Sequence, residues 1–489
     1  MNLDYSQFLN MMPEVTLMAI LIIVFIADFV SAKQAPIVLT GSKDLVSPRP
    51  WFNPLMALLM VAHIAINICP TEASTTFEGM YYTNASVSVI KTILALGTLI
   101  VFIQSKGWMS RPDTNFKEGE FYLLVISTLL GMNMMISSSH FLLFFLGLEM
   151  ASVPMACLVA LDKYRHHSAE AAAKFILTAT FSSGVMLYGI SFLYGATGTL
   201  YFDAMAAKIV ATPMVILGMV FFFSGLGFKI SLVPFHFWTA DAYQGAPTTI
   251  TGYLSVVSKG AAAFVLCVIL TKVFAPLALY WHNLLAIVIV LSITVANLFA
   301  IRQSELKRFM AFSSVSQAGY IMLAAYGDAH MGLAALSYYV LVYVVANLCV
   351  FTIISVIEEK NNGATEMAAY NGLYATNPKL AFLMTLALFS LGGIPPFAGM
   401  FSKFFIFMAA VEGGSTLSYV VLFVALINTV ISLYYYLLIV KAMYINKNDN
   451  PLPAFTSDCN TKIALALCTF GIVAFGVCSY FYEWIVNPF

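Results

Sequence analysis

The chain of 489 residues is 61% hydrophobic and 9% charged, with a mean hydropathy of +0.89; a soluble globular domain carries about 25% charged residues. Basic and acidic residues balance at 23 each, which excludes any overall field that would recruit nucleic acid or an acidic partner. This is the composition of an integral membrane protein, with no part that reads as a soluble domain.

A hydrocarbon core about 30 Å thick needs about 20 apolar residues in a helix. Fourteen such runs follow one another, at about 13–31, 51–69, 86–104, 121–138, 140–161, 168–194, 212–239, 248–272, 277–300, 307–327, 331–357, 379–411, 416–442 and 463–485. No barrel-type alternation occurs, so every crossing is expected to be helical. The opening MNLDYSQFLNMMPEV lacks the basic leader of a cleaved signal peptide, and the first run is expected to be retained. Gln104 to Glu120 is the most polar linker; Glu358 to Asn377 and Asn446 to Cys459 are the others.

Ionisable residues inside these runs carry the functional signal. Of the carboxylates, Glu149 alone is placed deep in a span, in HFLLFFLGLEMASVPMA, whereas Asp28 lies near a helix end. Lys174 follows in HHSAEAAAKFILTA, a turn or two inside the membrane. It is expected to modulate Glu149 or Lys229 or to reach back to the interface. Next comes GLGFKISLVPFHFWTADAYQGAPTTITGYLSVVSK, Gly225 to Lys259, in which an apolar run with Lys229 breaks at Pro234 and a second carries Lys259. A charge at the bilayer centre costs about 2.5–3.5 kcal/mol on insertion scales, so such residues usually face protein and mark ion pathways. Snorkelling is the alternative, but it needs a nearby membrane surface, and Lys259 lies well inside its run. His236 titrates near neutral pH and either passes protons between the two lysines or hydrogen-bonds the broken backbone. Asp241, Tyr243 and Gln244 are expected in the inner loop.

A second break lies at LGGIPPFAGMFSKFF, where Gly392, Gly393, Pro395 and Pro396 precede Lys403. Paired prolines cannot continue a helix, and broken backbone at membrane depth is tolerated where it is buried in protein or lines a polar cavity. A kink that only shapes packing is the bland reading. The two breaks fall in the fourth span of two sets of five, spans 4 to 8 and 9 to 13. An odd number per set inverts the second relative to the first, and matched broken helices mark a transporter's working site. The expected fold is thus an all-α integral membrane protein of 14 transmembrane helices with two inverted five-helix repeats. It forms one membrane domain: flanking helices in 1–120, repeats in 121–272 and 277–442, and a last helix in 443–489.

Loop charges set the orientation. Sixteen Lys and Arg residues fall on one side (33, 43, 49, 106, 111, 117, 163, 165, 302, 307, 308, 360, 379, 441, 447 and 462), against Lys208 and Lys272 on the other. The bias places both termini outside. Lys91 sits near the outer end of its span.

The seven cysteines (69, 157, 267, 349, 459, 468, 478) form no CxxC and read as small buried apolar residues. The remaining histidines (63, 140, 166, 167, 282, 330) have no metal-ligand spacing to Glu or Cys. No phosphate loop, HExxH or CxxCH is present, which argues against a cofactor or metal held by this chain. Tyr434, Tyr435 and Tyr436 read as packing and interface belt.

Glu149, GFKISLVPFHFW with the AYQGAPT turn, Lys259, RQSELKRFMAFSSVSQAGY at Arg302 to Tyr320, and GGIPPFAGMFSKF together resemble the antiporter-like subunits of proton-pumping NADH:quinone oxidoreductase (respiratory complex I), and among them the N type. The resemblance covers spans 4 to 13. It implies a translocase subunit of a bacterial inner membrane, with Glu149 and Lys229 as a paired proton site, Lys259 and possibly Lys174 as connecting relay, and Lys403 on the exit side. NAD, FMN, iron-sulfur clusters and quinone are then expected in partner subunits, which with the lipid bilayer are its surroundings. Lysine at 403 argues against the M type, and the lack of a long C-terminal extension against the L type. Two departures, Ala240 where the family commonly has proline and APTT where it often has APTP, put the geometry of the 7–8 loop in question. Two rivals remain: a subunit of a multisubunit cation/proton antiporter using the same lysines with a sodium site, and an inert membrane subunit whose buried charges only fix helix register.

Overall fold

The structure is a computed structural model, and it describes residues 5–31, 49–68, 72–111, 114–162, 166–327, 329–361, 363–448, 451–478 and 480–488. The basic residues Lys33, Lys43, Lys163 and Arg165, and Cys69, lie outside these.

Helices α1 (Met12–Ser31) and α2 (Phe52–Ile68) lead to a small antiparallel hairpin, β1 (Ser74–Thr76) and β2 (Tyr81–Thr83), with Thr75 opposite Tyr82. The hairpin interrupts what reads from composition as an all-helical chain. Then come α3 (Ala85–Met109), α4 (Glu118–Ile136), α5 (Phe141–Val159), α6 (His166–Thr197), the short α7 (Phe202–Lys208), α8 (Pro213–Ile230) and α9 (Phe237–Gly245). The eighth expected run is helical throughout but not uniformly α: α10 (Thr248–Tyr253), a π turn Leu254–Ser258, α11 (Lys259–Val268) and a second π turn Ile269–Val273. The second half holds α12 (Ala278–Ile301), α13 (Leu306–Met322), α14 (Ala329–Lys360), α15 (Leu373–Thr376), α16 (Pro378–Gly392), α17 (Ala398–Glu412) and α18 (Thr416–Tyr444). Helices α19 (Cys459–Val477) and α20 (Tyr480–Val486) close the chain.

Among the described residues, 11 helices are long and apolar enough to cross a membrane. Three of the fourteen expected runs do not meet that measure for identifiable reasons. Helix α2 has 17 residues. Helix α13 has 17 and carries Ser313, Ser314, Ser316 and Gln317. The run 379–411 is divided into α16 and α17, each of 15 residues.

Burial sorts the helices by position. The most apolar window of α14 is 94% buried, whereas those of the segments ending in α1 and α18 are 22% and 28% buried. A helix apolar on all sides and covered on all sides is a spine, and α14 is that spine. Where helices approach most closely the residue is glycine: a Cβ on Gly131 of α4 would lie 2.8 Å from the Gly147 carbonyl of α5, and one on Gly189 of α6 2.6 Å from the Gly218 carbonyl of α8. Without a hydrophobic force between helices in lipid, such close backbone packing does the work of association. Cys267, Cys349 and Cys468 are buried as expected, but Cys157, Cys459 and Cys478 are exposed.

Candidate functional site

Both broken helices end in the same way. Helix α8 stops at Ser231 with φ +70, whose N–H bonds the carbonyls of Gly227 and Phe228, while the Leu232 N–H reaches back to Gly227 at 2.8 Å. Helix α16 stops at Gly393 with φ +87, bonded to Phe389 and Ser390, and the Ile394 N–H reaches Phe389 at 3.0 Å. This is the Schellman arrangement, which satisfies carbonyls left free at a helix end. A cis proline bond follows each, Val233–Pro234 and Pro395–Pro396. Neighbouring side chains brace the gaps: Ser292 of α12 accepts the Val233 N–H at 2.9 Å, and the Trp238 indole bonds the Phe228 carbonyl at 3.0 Å.

Three lysines meet at these breaks, all buried. Lys229, in the last turn of α8, donates to the Ser152 hydroxyl of α5 at 2.7 Å. Glu149 stands one turn before Ser152, near enough for its charge to act on the ammonium, yet among the described residues no carboxylate lies within ion-pair distance of Lys229. The Lys229 ammonium meets Ser152 rather than Glu149, and the Glu149 Oε1 atom is buried with no protein partner. Lys259 follows the first π turn, a distortion common at functional sites. Its ammonium donates to the Ser314 hydroxyl at 2.6 Å and lies 5.2 Å from the Tyr243 ring centre. Lys403 of α17 reaches back across the second break to the Gly392 carbonyl at 3.2 Å, with its ammonium 5.1 Å from the Tyr320 ring centre. An ammonium has three donors, and each of these three finds one oxygen partner.

Polar side chains extend from Lys259 toward the cavity that Lys403 lines. The Ser314 hydroxyl that accepts from Lys259 also meets the Tyr243 hydroxyl at 3.2 Å, and Tyr343 of α14 lies close to it. One turn on, the Gln317 amide bonds Tyr339 of α14 and the Tyr436 hydroxyl of α18 at 3.3 Å. Gln317, Tyr339, Tyr343, Ser402 and Lys403 line a cavity of about 10 Å³, room for about one water. Buried oxygens of Ser231, Ser258, Ser316 and Tyr343, and Nδ1 of His236, have no protein partner. Buried polar groups are nearly always satisfied, so these are positions for ordered water. His236 sits at the first break, within reach of the Pro234 backbone and of the Lys259 charge.

The family model described as NADH:quinone oxidoreductase/Mrp antiporter, TM matches residues 138–432. NADH-quinone oxidoreductase subunit N of Phocaeicola vulgatus is 55% identical over 482 residues, covering 98% of each chain. The chain belongs to the subunit N branch of that family. A chain of respiratory complex I from Thermus thermophilus is 30% identical with a TM-score of 0.78, covering 95% of this chain and 97% of that one. A chain of the Mrp complex from Dietzia sp. shares the fold at a TM-score of 0.81 and 19% identity, over 99% and 97% of the two chains. The core of the family, spans 4 to 13, is the part that holds all three lysines.

Other expected residues fall elsewhere in this family fold. Lys174 is half-exposed and pairs with Glu170 and Asp241, each at 2.8 Å; it contacts neither Glu149 nor Lys229. Asp241, Tyr243 and Gln244 lie in helix α9 rather than a loop. Asp241 also bonds Arg308 of α13 at 2.8 Å. Burial by itself would raise the Asp241 carboxyl, but hydrogen bonds from Lys174 and Arg308 outweigh it and hold the group below the usual carboxylate range. A depressed folded-state value stabilises the protein above about pH 4, where the unfolded carboxyl ionises, and the gain is lost as pH falls through the folded value. Asp241→Asn should therefore lower the melting temperature at pH 7 by roughly 1–2 °C, as expected for partly exposed pairs. The deficit should shrink as pH falls below about 4, which a pH series of melting curves would check.

Sequence reasoning missed Ser152, Ser314, Gln317, Tyr339, Tyr343 and Tyr436. Their signal was a polar spacing of three and four on otherwise apolar helices: 314 and 317, 339 and 343. Tyr434 is exposed as an interface residue would be, but Tyr435 and Tyr436 are fully buried and hydrogen-bonded, to Asn297 and to Ser313. A polar cavity of 190 Å³ opens between the halves, lined by Trp108, His167, Gln244, Thr248, Lys307 and Glu358. Thr248 at its floor, the first residue of α10, bonds Glu358.

Proposed function

We propose that this chain is the N-type proton-translocating membrane subunit of a redox-driven NADH:quinone oxidoreductase. Protons load from the inner side through the cavity at Thr248 and Glu358 and exchange among Glu149, Lys229 and Lys259. They then pass by Ser314, Tyr343 and Gln317 to Lys403 and leave outward. His236 serves as a secondary carrier and Lys174 as part of the inner charge cluster. The redox groups, NAD, FMN, iron-sulfur clusters and quinone, belong to partner subunits. The chain crosses the bacterial inner membrane fourteen times with both termini outside, as sixteen basic loop residues against two favour. Its two five-helix repeats, 121–272 and 277–442, are inverted; the identical caps at Ser231 and Gly393 support this.

The observation that carries the reading is the bridge at Ser314. A hydroxyl both accepts and donates, so a group held between Lys259 and Tyr243 can pass a proton on, whereas charges that only fixed helix register would be paired with carboxylates. Ser314→Ala should leave assembly intact and cut proton flux in proteoliposomes of the whole enzyme about tenfold, the effect of one lost hydrogen bond of about 1.4 kcal/mol in the transfer step. Wild-type flux in that variant would refute the route. Dependence of flux on sodium would favour cation/proton antiport instead.

A further inference from the structure

Outside the two repeats lies a second buried charge cluster that the relay does not use. Glu14 in the first turn of α1 and Lys91 in α3 are 1% and 0% exposed, and the Lys91 ammonium donates to Glu14 Oε1 at 2.6 Å. Tyr81 of β2 completes a triangle: its hydroxyl donates to Glu14 Oε2 at 2.7 Å and accepts from Lys91 at 3.1 Å. His63 of α2 is also buried. Its Nδ1 meets the Thr16 hydroxyl at 2.7 Å, its Nε2 meets the Asn67 amide at 3.0 Å, and the Lys91 charge acts on it.

This pair differs from the three relay lysines in having a carboxylate. It also differs from a simple ion-pair clamp in its surroundings. Asn67 Oδ1 and Thr76 Oγ1 are buried without a protein partner, and so are both amide atoms of Asn133. Asn133 lies one turn below Ser137, which stands beside Tyr81. Two cavities touch the cluster. A crevice of 80 Å³ is lined by Asn67, Ser88, Thr92, Trp484 and Pro488, and an apolar cavity of 300 Å³ by Glu14, Tyr81, Met11 and Met134 among others. A clamp needs neither unpartnered amides nor a crevice reaching the amide beside His63; a group that exchanges protons with water needs both.

We propose that Glu14 and Lys91, with Tyr81 and His63, form a second proton-exchange site at the outer end of the flanking helices. The pair is neutral overall as carboxylate with ammonium or as carboxylic acid with amine. A proton arriving from the Asn133 side protonates Glu14, the Lys91 ammonium releases one to water in the Asn67 crevice, and transfer from Glu14 to Lys91 across their hydrogen bond resets the pair. One proton enters and one leaves. The proposal rests on the proton translocation and outward termini of the reading above.

Removing one partner strands a buried charge and destabilises the chain, whereas replacing both by neutral side chains of similar volume is tolerated. The test is therefore Glu14→Gln combined with Lys91→Met, in the complete enzyme in proteoliposomes with a pH dye on the outer side. Normal assembly with outer-side release slowed about 100-fold is expected, the lower end of the effect of losing a proton-transfer group. In the same double variant, pH-difference infrared spectra should lose a carboxyl band, which a merely structural role would not predict. Wild-type release in the double variant, with no band lost, would overturn the proposal. Lys229→Ala run alongside separates the two readings: if it also leaves flux intact the relay itself fails, and if it alone stops flux only the outer site falls.

Discussion

Lys229→Ala should assemble normally and lose proton translocation through this subunit by roughly 100-fold, the usual effect of removing a positioned proton-transfer group. Lys229 is 6% exposed, and its one hydrogen bond goes to Ser152. A buried ammonium without a bonded counter-ion costs several kcal/mol of desolvation, so its removal should leave the melting temperature unchanged or higher. A residue kept for stability would behave in the opposite way. Lys229→Arg sharpens the test. Guanidinium keeps the charge but does not give up its proton, so the arginine variant should be as inactive as alanine. The proton-to-electron ratio of the assembled enzyme reads both. A normal ratio in Lys229→Ala, or rescue by arginine, would reject the relay.

Gly399→Ala should do the reverse and damage the fold first. A Cβ at Gly399 would lie 1.6 Å from the Ser390 carbonyl oxygen, with the Ser390 hydroxyl at 3.1 Å. The Gly399 N–H already bonds that hydroxyl at 3.2 Å. The second half-helix is thus seated directly on the end of the first, and a methyl group forces α17 away, taking Lys403 off the Gly392 carbonyl. Overpacking of this severity is expected to cost about 3 kcal/mol or more, seen as lost assembly or a strongly lowered melting temperature. Gly184→Ala is the control. Nothing lies within 4 Å of a Cβ there, and alanine is the better helix former by about 1 kcal/mol, so that variant should be neutral or slightly stabilised. Equal behaviour of the two would mean the second break is looser than its geometry.

Much of this was legible before any coordinates. Glycines and prolines at 392–396 and the proline at 234 located both breaks, because those residues fix backbone geometry locally. Lysines at 229, 259 and 403 stood out because a charge in an apolar run has a cost that does not depend on the fold. Less legible were partners. Glu149 and Lys229 read as a paired proton site, and no feature of the sequence pointed to Ser152 as the oxygen that Lys229 meets. The depth of Lys174 left open whether it modulates Glu149 or Lys229 or reaches back to the interface, and α9, folded as helix where a loop was expected, presents Asp241 to it. Glu14, near the start of its span, looked like an ordinary boundary residue until the hairpin and α3 enclosed it.

The sequence by itself determined the solvent of this protein, the helical nature of its crossings, the sites of its two breaks and the burial of Lys229, Lys259 and Lys403, since each follows from composition or from local backbone chemistry. Only the tertiary structure decided which oxygen each amine meets and that Ser314, Gln317 and the tyrosines of α14 and α18 gather in the interior from separate helices. The reason is that hydroxyls and amides cost little in an apolar helix taken alone; they acquire meaning when helices distant in sequence bring them within hydrogen-bond distance.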